Sequence, residues 1–191
     1  MSSVMSRRID LRMGLHNDYV VRRQRRHMDP VNQADLEWTE LDREDTTFRR
    51  KQLGEAAGGA DLGCSLYELP AAGRSWPYHY HTANEEAIYV LAGAGTLRLG
   101  EETHSIEAGD YVALPADASG GHRVVNDGDD PLRYLVVSTM REPDVTVYPD
   151  RDRVGVFVGS PPGGRDGRSL HGYYPIDGDV DYWEDTTSDG E

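Results

Sequence analysis

Two histidines separated by one residue, His79 and His81 in GRSWPYHYH, stand five and more positions before Glu86, which heads the segment EAIYVLAG. Side chains alternate along an extended chain, so imidazoles at i and i+2 point to one face and can share one ion. By the same alternation Glu86, Ile88 and Val90 share a face, which carries a carboxylate into a mostly apolar lumen. A carboxylate in such surroundings demands a cation or a proton. A third histidine, His122, opens HRVVN with Val124 on its own face. Three imidazoles and a carboxylate suit one divalent transition metal per chain, drawn from Fe, Mn, Zn, Ni or Cu, with positions left open for water or substrate. That stoichiometry belongs to catalytic sites rather than closed structural ones. Glu86 is also the expected catalytic group, able to leave the ion and take a proton. Ile88, Val90, Val124 and Asn126 are the expected substrate-lining residues, giving a mostly apolar pocket with few polar anchors.

The elements that must hold these groups read as short strands. LGCSLYEL (62–69), EAIYVLAG from Glu86, TLRLG from Thr96, THSIEAG from Thr103, DYVALP from Asp110, HRVVN from His122 and LRYLVVST from Leu132 are separated by clusters of turn residues such as AGAG and NDGDD. A further strand, VGVFVG, starts at Val154. Short strands at this spacing predict a sandwich or barrel. A helix is expected only within the acidic stretch from Val31 to Leu53, which shows no strong apolar stripe.

At 191 residues the chain has room for one domain with an ordinary core or at most two small ones. Its formal charge of −14 argues against general affinity for nucleic acid or an anionic membrane. No apolar run approaches the roughly 18 residues that span a bilayer, and the N-terminus lacks the apolar core of a secretory signal, so a cytoplasmic protein is expected. One cysteine, Cys64, excludes an internal disulfide framework or a thiolate zinc knuckle. The charge is unevenly spread: seven Arg and two Asp give residues 1–27 a balance of +5, leaving −19 for the remainder. The arm 1–27 is expected to be an unstructured or artefactual extension, Met28 opening a segment that reads like a natural N-terminus. Lys51 is the single lysine, and with the surplus of Asp this resembles the composition of proteins from salt-adapted organisms.

The histidine segments are similar to the two motifs of the cupin superfamily. The first, G(X)5HXH(X)3-4E(X)6G, is matched in full by Gly73, His79, His81, Glu86 and Gly93. The second, G(X)5PXG(X)2H(X)3N, is matched by Gly109, Pro115, His122 and Asn126. Asp117 replaces its internal glycine and the run before His122 is two residues longer, with Gly120 and Gly121 expected to supply the unusual backbone angles. The resemblance covers about residues 62–140. It implies an all-β double-stranded β-helix, the jelly-roll cupin barrel, with a metal in the lumen and irregular N- and C-terminal extensions. The organisation expected is a basic extension over 1–27, an acidic N-terminal segment over 28–60, a cupin barrel over 61–159 and an acidic C-terminal tail over 160–191, of which the last ten residues are expected to be mobile.

Other polar and aromatic residues have plainer readings. Glu85 faces the opposite side of its strand from Glu86. His104 in its hairpin strand and His171 in a C-terminal loop read as solvent-facing or core-packed, and Cys64 as a small buried hydrophobe. Trp76, Tyr78 and Tyr80 alternate with the histidines and are expected to point away from them toward a sheet partner, an arrangement that suggests a homodimer. Function follows as a metal-dependent enzyme acting on a small carboxylated or enol-type molecule, of dioxygenase, isomerase or decarboxylase class. The alternative is a binding or sensor module that holds a small ligand without turnover. A fold of this kind does not itself select a chemistry.

Overall fold

The computed structural model describes residues 30–162 and 167–183. The arm 1–27 and residues 184–191 of the tail lie outside the described residues. Thirteen strands occur among the described residues: β1 (Thr39–Arg43), β2 (Thr46–Gln52), β3 (Leu62–Leu69), β4 (Tyr80–His81), β5 (Glu86–Ala92), β6 (Ala94–Leu99), β7 (Glu102–Glu107), β8 (Tyr111–Leu114), β9 (His122–Val125), β10 (Leu132–Thr139), β11 (Asp144–Tyr148), β12 (Arg153–Val158) and β13 (Leu170–Pro175). A single-turn helix, α1 (Leu53–Ala56), follows β2.

The strands make two walls. One is a six-stranded antiparallel sheet ordered β1-β2-β3-β10-β5-β8. The other consists of a four-stranded sheet, β13-β12-β11-β4, and a three-stranded sheet, β7-β6-β9. An antiparallel bridge between His79 and His122, closed by both backbone hydrogen bonds, fastens these two pieces together. Two stacked antiparallel sheets wound in this way form a jelly roll. Between them lies one apolar core. Phe48, Tyr67, Leu69, Ile88, Val90, Leu114, Leu132 and Tyr134 come from the first wall, and Leu97, Ile106 and Val124 from the second.

The strands of the middle segment lie where alternation and turn residues place them, but the acidic stretch 31–53 departs from expectation. It holds β1 and β2, with helix limited to a 3-10 turn at Gln33–Asp35 and the start of α1. The reason is tertiary: β2 pairs with β3 from Arg49↔Glu68 to Gln52↔Ser65, which delivers Phe48 to the core. A weak local pattern yields to sheet pairing of that kind. β11 and β13 were also hidden in the sequence. His171, expected in a loop, stands on β13 opposite Phe157.

Two turns shape the site. Gly93, last residue of the first motif, adopts φ +81° and lies against the Pro131 carbonyl, so a side chain there is excluded both by conformation and by space. The inserted run before His122 folds as a 3-10 turn, Ala118–Gly120, capped by the Asp117 carboxylate accepting from the Ser119 amide at 2.7 Å. Gly120 and Gly121 are absent from the residues of positive φ. Their role is close approach instead: a Cβ would strike the Pro115 carbonyl at Gly120 and the Tyr78 hydroxyl at Gly121.

Asn126 is also structural. Fully buried at 0% exposure, its amide nitrogen donates to the carbonyls of Leu69, Pro70 and Asp130, and its Oδ1 accepts from the Gly128 amide at 3.1 Å. It ties the end of β9 to the end of β3 and to the turn before β10. Asn126→Ala is expected to leave buried carbonyls unpaired and to lower stability by about 3 kcal/mol. Urea unfolding followed by circular dichroism checks this, and a loss below about 1 kcal/mol contradicts the brace.

Candidate metal centre

His79 and His81 are placed by one segment, bent at Trp76 to Tyr78 and then entering β4, that is paired on both sides. His79 pairs with His122 of β9, while His81, on β4, pairs with Thr146 of β11. Glu86 comes from the facing wall, at the start of β5, opposite Leu114 and Ser138. The ligand atoms of His79, His81 and Glu86 lie within 4.8 Å of one another, a cluster that could hold a metal ion. Glu86 Oε2 is 3.5 Å from His81 Nε2 and 3.6 Å from His122 Nε2. The structure therefore brings together all four residues that the sequence singled out.

Each imidazole is oriented through its other nitrogen. His79 Nδ1 lies 2.8 Å from the Pro77 carbonyl, and His122 Nδ1 lies 2.9 Å from the Gly120 carbonyl. A carbonyl only accepts, so each Nδ1 carries the proton and each Nε2 presents a lone pair. His81 Nδ1 is 2.7 Å from Asp144 Oδ2 and 3.1 Å from Thr146 Oγ1. Asp144, itself at 0% exposure, accepts further from the Ala83 amide and from the Thr146 hydroxyl. The donor set is thus turned inward: lone pairs of His79 and His122, the Nε2 of His81 once that ring is neutral, and a carboxylate oxygen, which is the chemistry that a divalent transition metal takes.

The surroundings favour the neutral form at two of the three imidazoles. Burial holds the His79 pKa well below the usual imidazole range, with the neighbouring His122 and His81 adding to the effect. Burial likewise lowers His122, outweighing the pull of Glu86. His81 goes the other way: burial opposes its charge, but the Asp144 hydrogen bond and the charges of Glu86 and Asp144 prevail and raise its pKa. Tyr148 lies over His79 with ring centroids 5.7 Å apart and planes within 20°, fixing that ring from the side.

A small inner pocket of about 40 Å³ reaches the cluster, lined by Ser75, Ile88, Val124, Tyr134 and Val136 besides His79, Glu86 and His122. Outside it opens a cleft of about 840 Å³, walled by β2, β3 and β10 on one side and by Tyr148, Phe157 and Tyr173 on the other. Of the expected lining residues, Ile88 and Val124 face the inner pocket. Val90 is fully buried in the core, and Asn126 is the brace described above, so neither lines it. Trp76, expected to point away toward a sheet partner, lines both spaces instead, and its indole donates to the Tyr67 hydroxyl. Tyr78 is buried beneath the Arg98 guanidinium rather than displayed on an outer face. Cys64 is half-buried and lines the cleft. Glu85 is exposed, as its side of the strand requires.

The sequence pointed to the four inward groups but not to Asp144 or Tyr148. Their signal was present in DVTVY, where Asp144, Thr146 and Tyr148 alternate with two valines and share one face. In protein freed of metal by a chelator, Asp144→Asn is expected to lower the pKa of His81, because burial then faces one fewer opposing charge. An NMR titration of the His81 ring proton reads the change, and an unaltered or higher value contradicts the assignment.

Residues 65–138 match the family model for the cupin domain. The chain is 31% identical over 86 residues to protein SchB of Streptomyces halstedii, a match covering 45% of this chain and 61% of SchB, under two thirds of that protein's own length. Among solved structures, a sugar phosphate isomerase of the cupin superfamily from Silicibacter pomeroyi superposes with a TM-score of 0.65 at 26% identity, over 78% of this chain and 93% of that one. A candidate sugar phosphate isomerase from Acidithiobacillus ferrooxidans gives a TM-score of 0.67 at 25% identity, over 79% and 92%. The matched segment contains His79, His81, Glu86 and His122 within the jelly roll, and this part of the chain is a domain of the cupin superfamily.

Proposed function

We propose that His79, His81, Glu86 and His122 hold one divalent transition metal and that the protein is a metal-dependent enzyme acting on a small carboxylated or enol-type molecule. The observation that carries this reading is the inward convergence of lone pairs, with every Nδ1 engaged from behind. His79 and His122 turn lone pairs toward the Glu86 carboxylate, and with His81 in the neutral form that ligation requires, a cation completes the buried group. Bound there, such an ion supplies Lewis-acid polarisation of a coordinated carbonyl or carboxylate oxygen.

The chain's own residues supply the rest. Glu86 faces the inner pocket as the carboxylate able to take a proton from a carbon next to a carbonyl. Ile88, Val124 and Val136 give that pocket apolar walls, which exclude water from the reacting carbon. Asp144 and Thr146 hold His81 in register, and Tyr148 holds His79. Of the three reaction classes open to such a site, the likeness to the sugar phosphate isomerases supports isomerisation by proton transfer.

Elemental analysis of protein purified without an affinity tag is expected to find close to one transition metal per chain, lost in the double variant His79→Ala, His81→Ala. Metal-free wild type would sink the metal assignment. With metal bound, a panel of sugar phosphates and small keto acids in heavy water should yield a product carrying solvent deuterium. Binding of these compounds with no exchange and no product would favour a non-catalytic ligand-binding module instead.

A further inference from the structure

Alternation along β2 puts Thr46, Phe48, Arg50 and Gln52 on one face. Phe48 is in the core, so that face is the inward one. The next inward position calls for an apolar side chain and carries a guanidinium. Arg50 lies opposite Tyr67 in the β2–β3 ladder and lines the large cleft with it. Its neighbours on β2 are occupied elsewhere: Arg49 pairs with Glu68, and Lys51 donates to the Gln33 carbonyl and sits over Trp38. Arg50 has no carboxylate partner among the described residues. Its recorded contacts are Nη1 to the Tyr67 hydroxyl at 3.4 Å and an approach of 5.8 Å to the Trp76 ring.

The Tyr67 hydroxyl is a second donor in the same place. It accepts from Arg50 and, at 3.1 Å, from the Trp76 indole. With two N–H groups on its oxygen, the phenol proton must turn away from both, and no acceptor takes it among the described residues. Tyr67 also lines the inner pocket together with His79 and Glu86. A positive charge and an O–H with no acceptor among the described residues therefore lie side by side where the cleft meets the inner pocket. Glu55, Asp61 and Glu142 line the same cleft, so its walls do not favour anions at large.

We propose that Arg50 and Tyr67 form an anion-recognition subsite, which takes the carboxylate or phosphate group of the ligand while its remaining part lies toward His79 and Glu86. The subsite deepens the proposed function, resting on the reading that this cleft receives the ligand. A planar guanidinium beside a hydroxyl donor suits an oxyanion, and Arg gives two parallel N–H bonds to such a group. Trp76 walls the position with an aromatic face.

The test uses chelator-treated, nitrogen-15-labelled protein with inorganic phosphate and malonate as separate probes. Location is read on the Trp76 indole N–H, identified by its loss in Trp76→Phe, and affinity by calorimetry. At least one probe is expected to shift that resonance saturably, and the tighter of the two tells phosphate from carboxylate. Arg50→Gln should weaken binding roughly tenfold or more, with Arg50→Lys between it and wild type and Tyr67→Phe weaker than wild type. No saturable shift with either probe overturns the subsite, as does unchanged affinity in Arg50→Gln. Should Arg50→Gln fail to fold, wild-type affinity in both Arg50→Lys and Tyr67→Phe overturns it. Because the protein is metal-free throughout, a wild type that binds anion but never metal defeats the metal assignment alone. One that loads metal but ignores both probes defeats the subsite alone.

Discussion

Each site imidazole is gripped through its Nδ1, and most of the surrounding architecture exists to make that grip possible. The Pro77 carbonyl is set by the bend leading into β4. The Gly120 carbonyl is presented by the inserted 3-10 turn, which Asp117 caps. Asp144 reaches His81 only because β11 pairs with β4. Without these partners the rings could rotate or change tautomer, and the inner pocket would contain a mixture of donors and acceptors. With them every Nε2 faces inward toward Glu86, and the positive charge the group demands is met by a cation or by a proton on His81.

Much of this was legible from residue types and spacing, because the ligand candidates lie close together in sequence and on strands with clear alternation. His79, His81 and Glu86 occupy eight consecutive positions, and His122 heads a strand of its own. Where the sequence misled, the determining contact was distant. The stretch 31–53 has little local preference, and its strands form because β3 offers an edge. Asn126 sits on the motif beside His122 and so looked like a pocket residue, whereas its amide is consumed by three carbonyls of neighbouring turns. Trp76 was placed outside by strict alternation, but the segment from Ser75 to His79 is not a regular strand, and the indole swings to the cleft.

The glycines of the inserted turn make a related point. A glycine two residues before a site histidine suggests unusual backbone angles, yet at Gly120 and Gly121 the requirement is proximity to Pro115 and Tyr78. Asp117, at the position of the motif's glycine, caps the 3-10 turn that follows β8. The position of His122 is preserved through different chemistry, which is why a departure from the motif coexists with an intact cluster.

The bond between His81 and Asp144 spans 63 positions in the chain, and the walls of the cleft run from Arg50 to Tyr173. Contacts of such range require loop closure before they repay it, and they characterise slow-folding topologies. The inner pocket is walled entirely by residues from Tyr67 to Val136, whereas the cleft outside it is complete only with β11 to β13, which carry Tyr148, Phe157 and Tyr173. A segment that contains every candidate ligand but ends before Asp144 lacks the residue that orients His81, so the site's polarity depends on a strand that lies outside both sequence motifs.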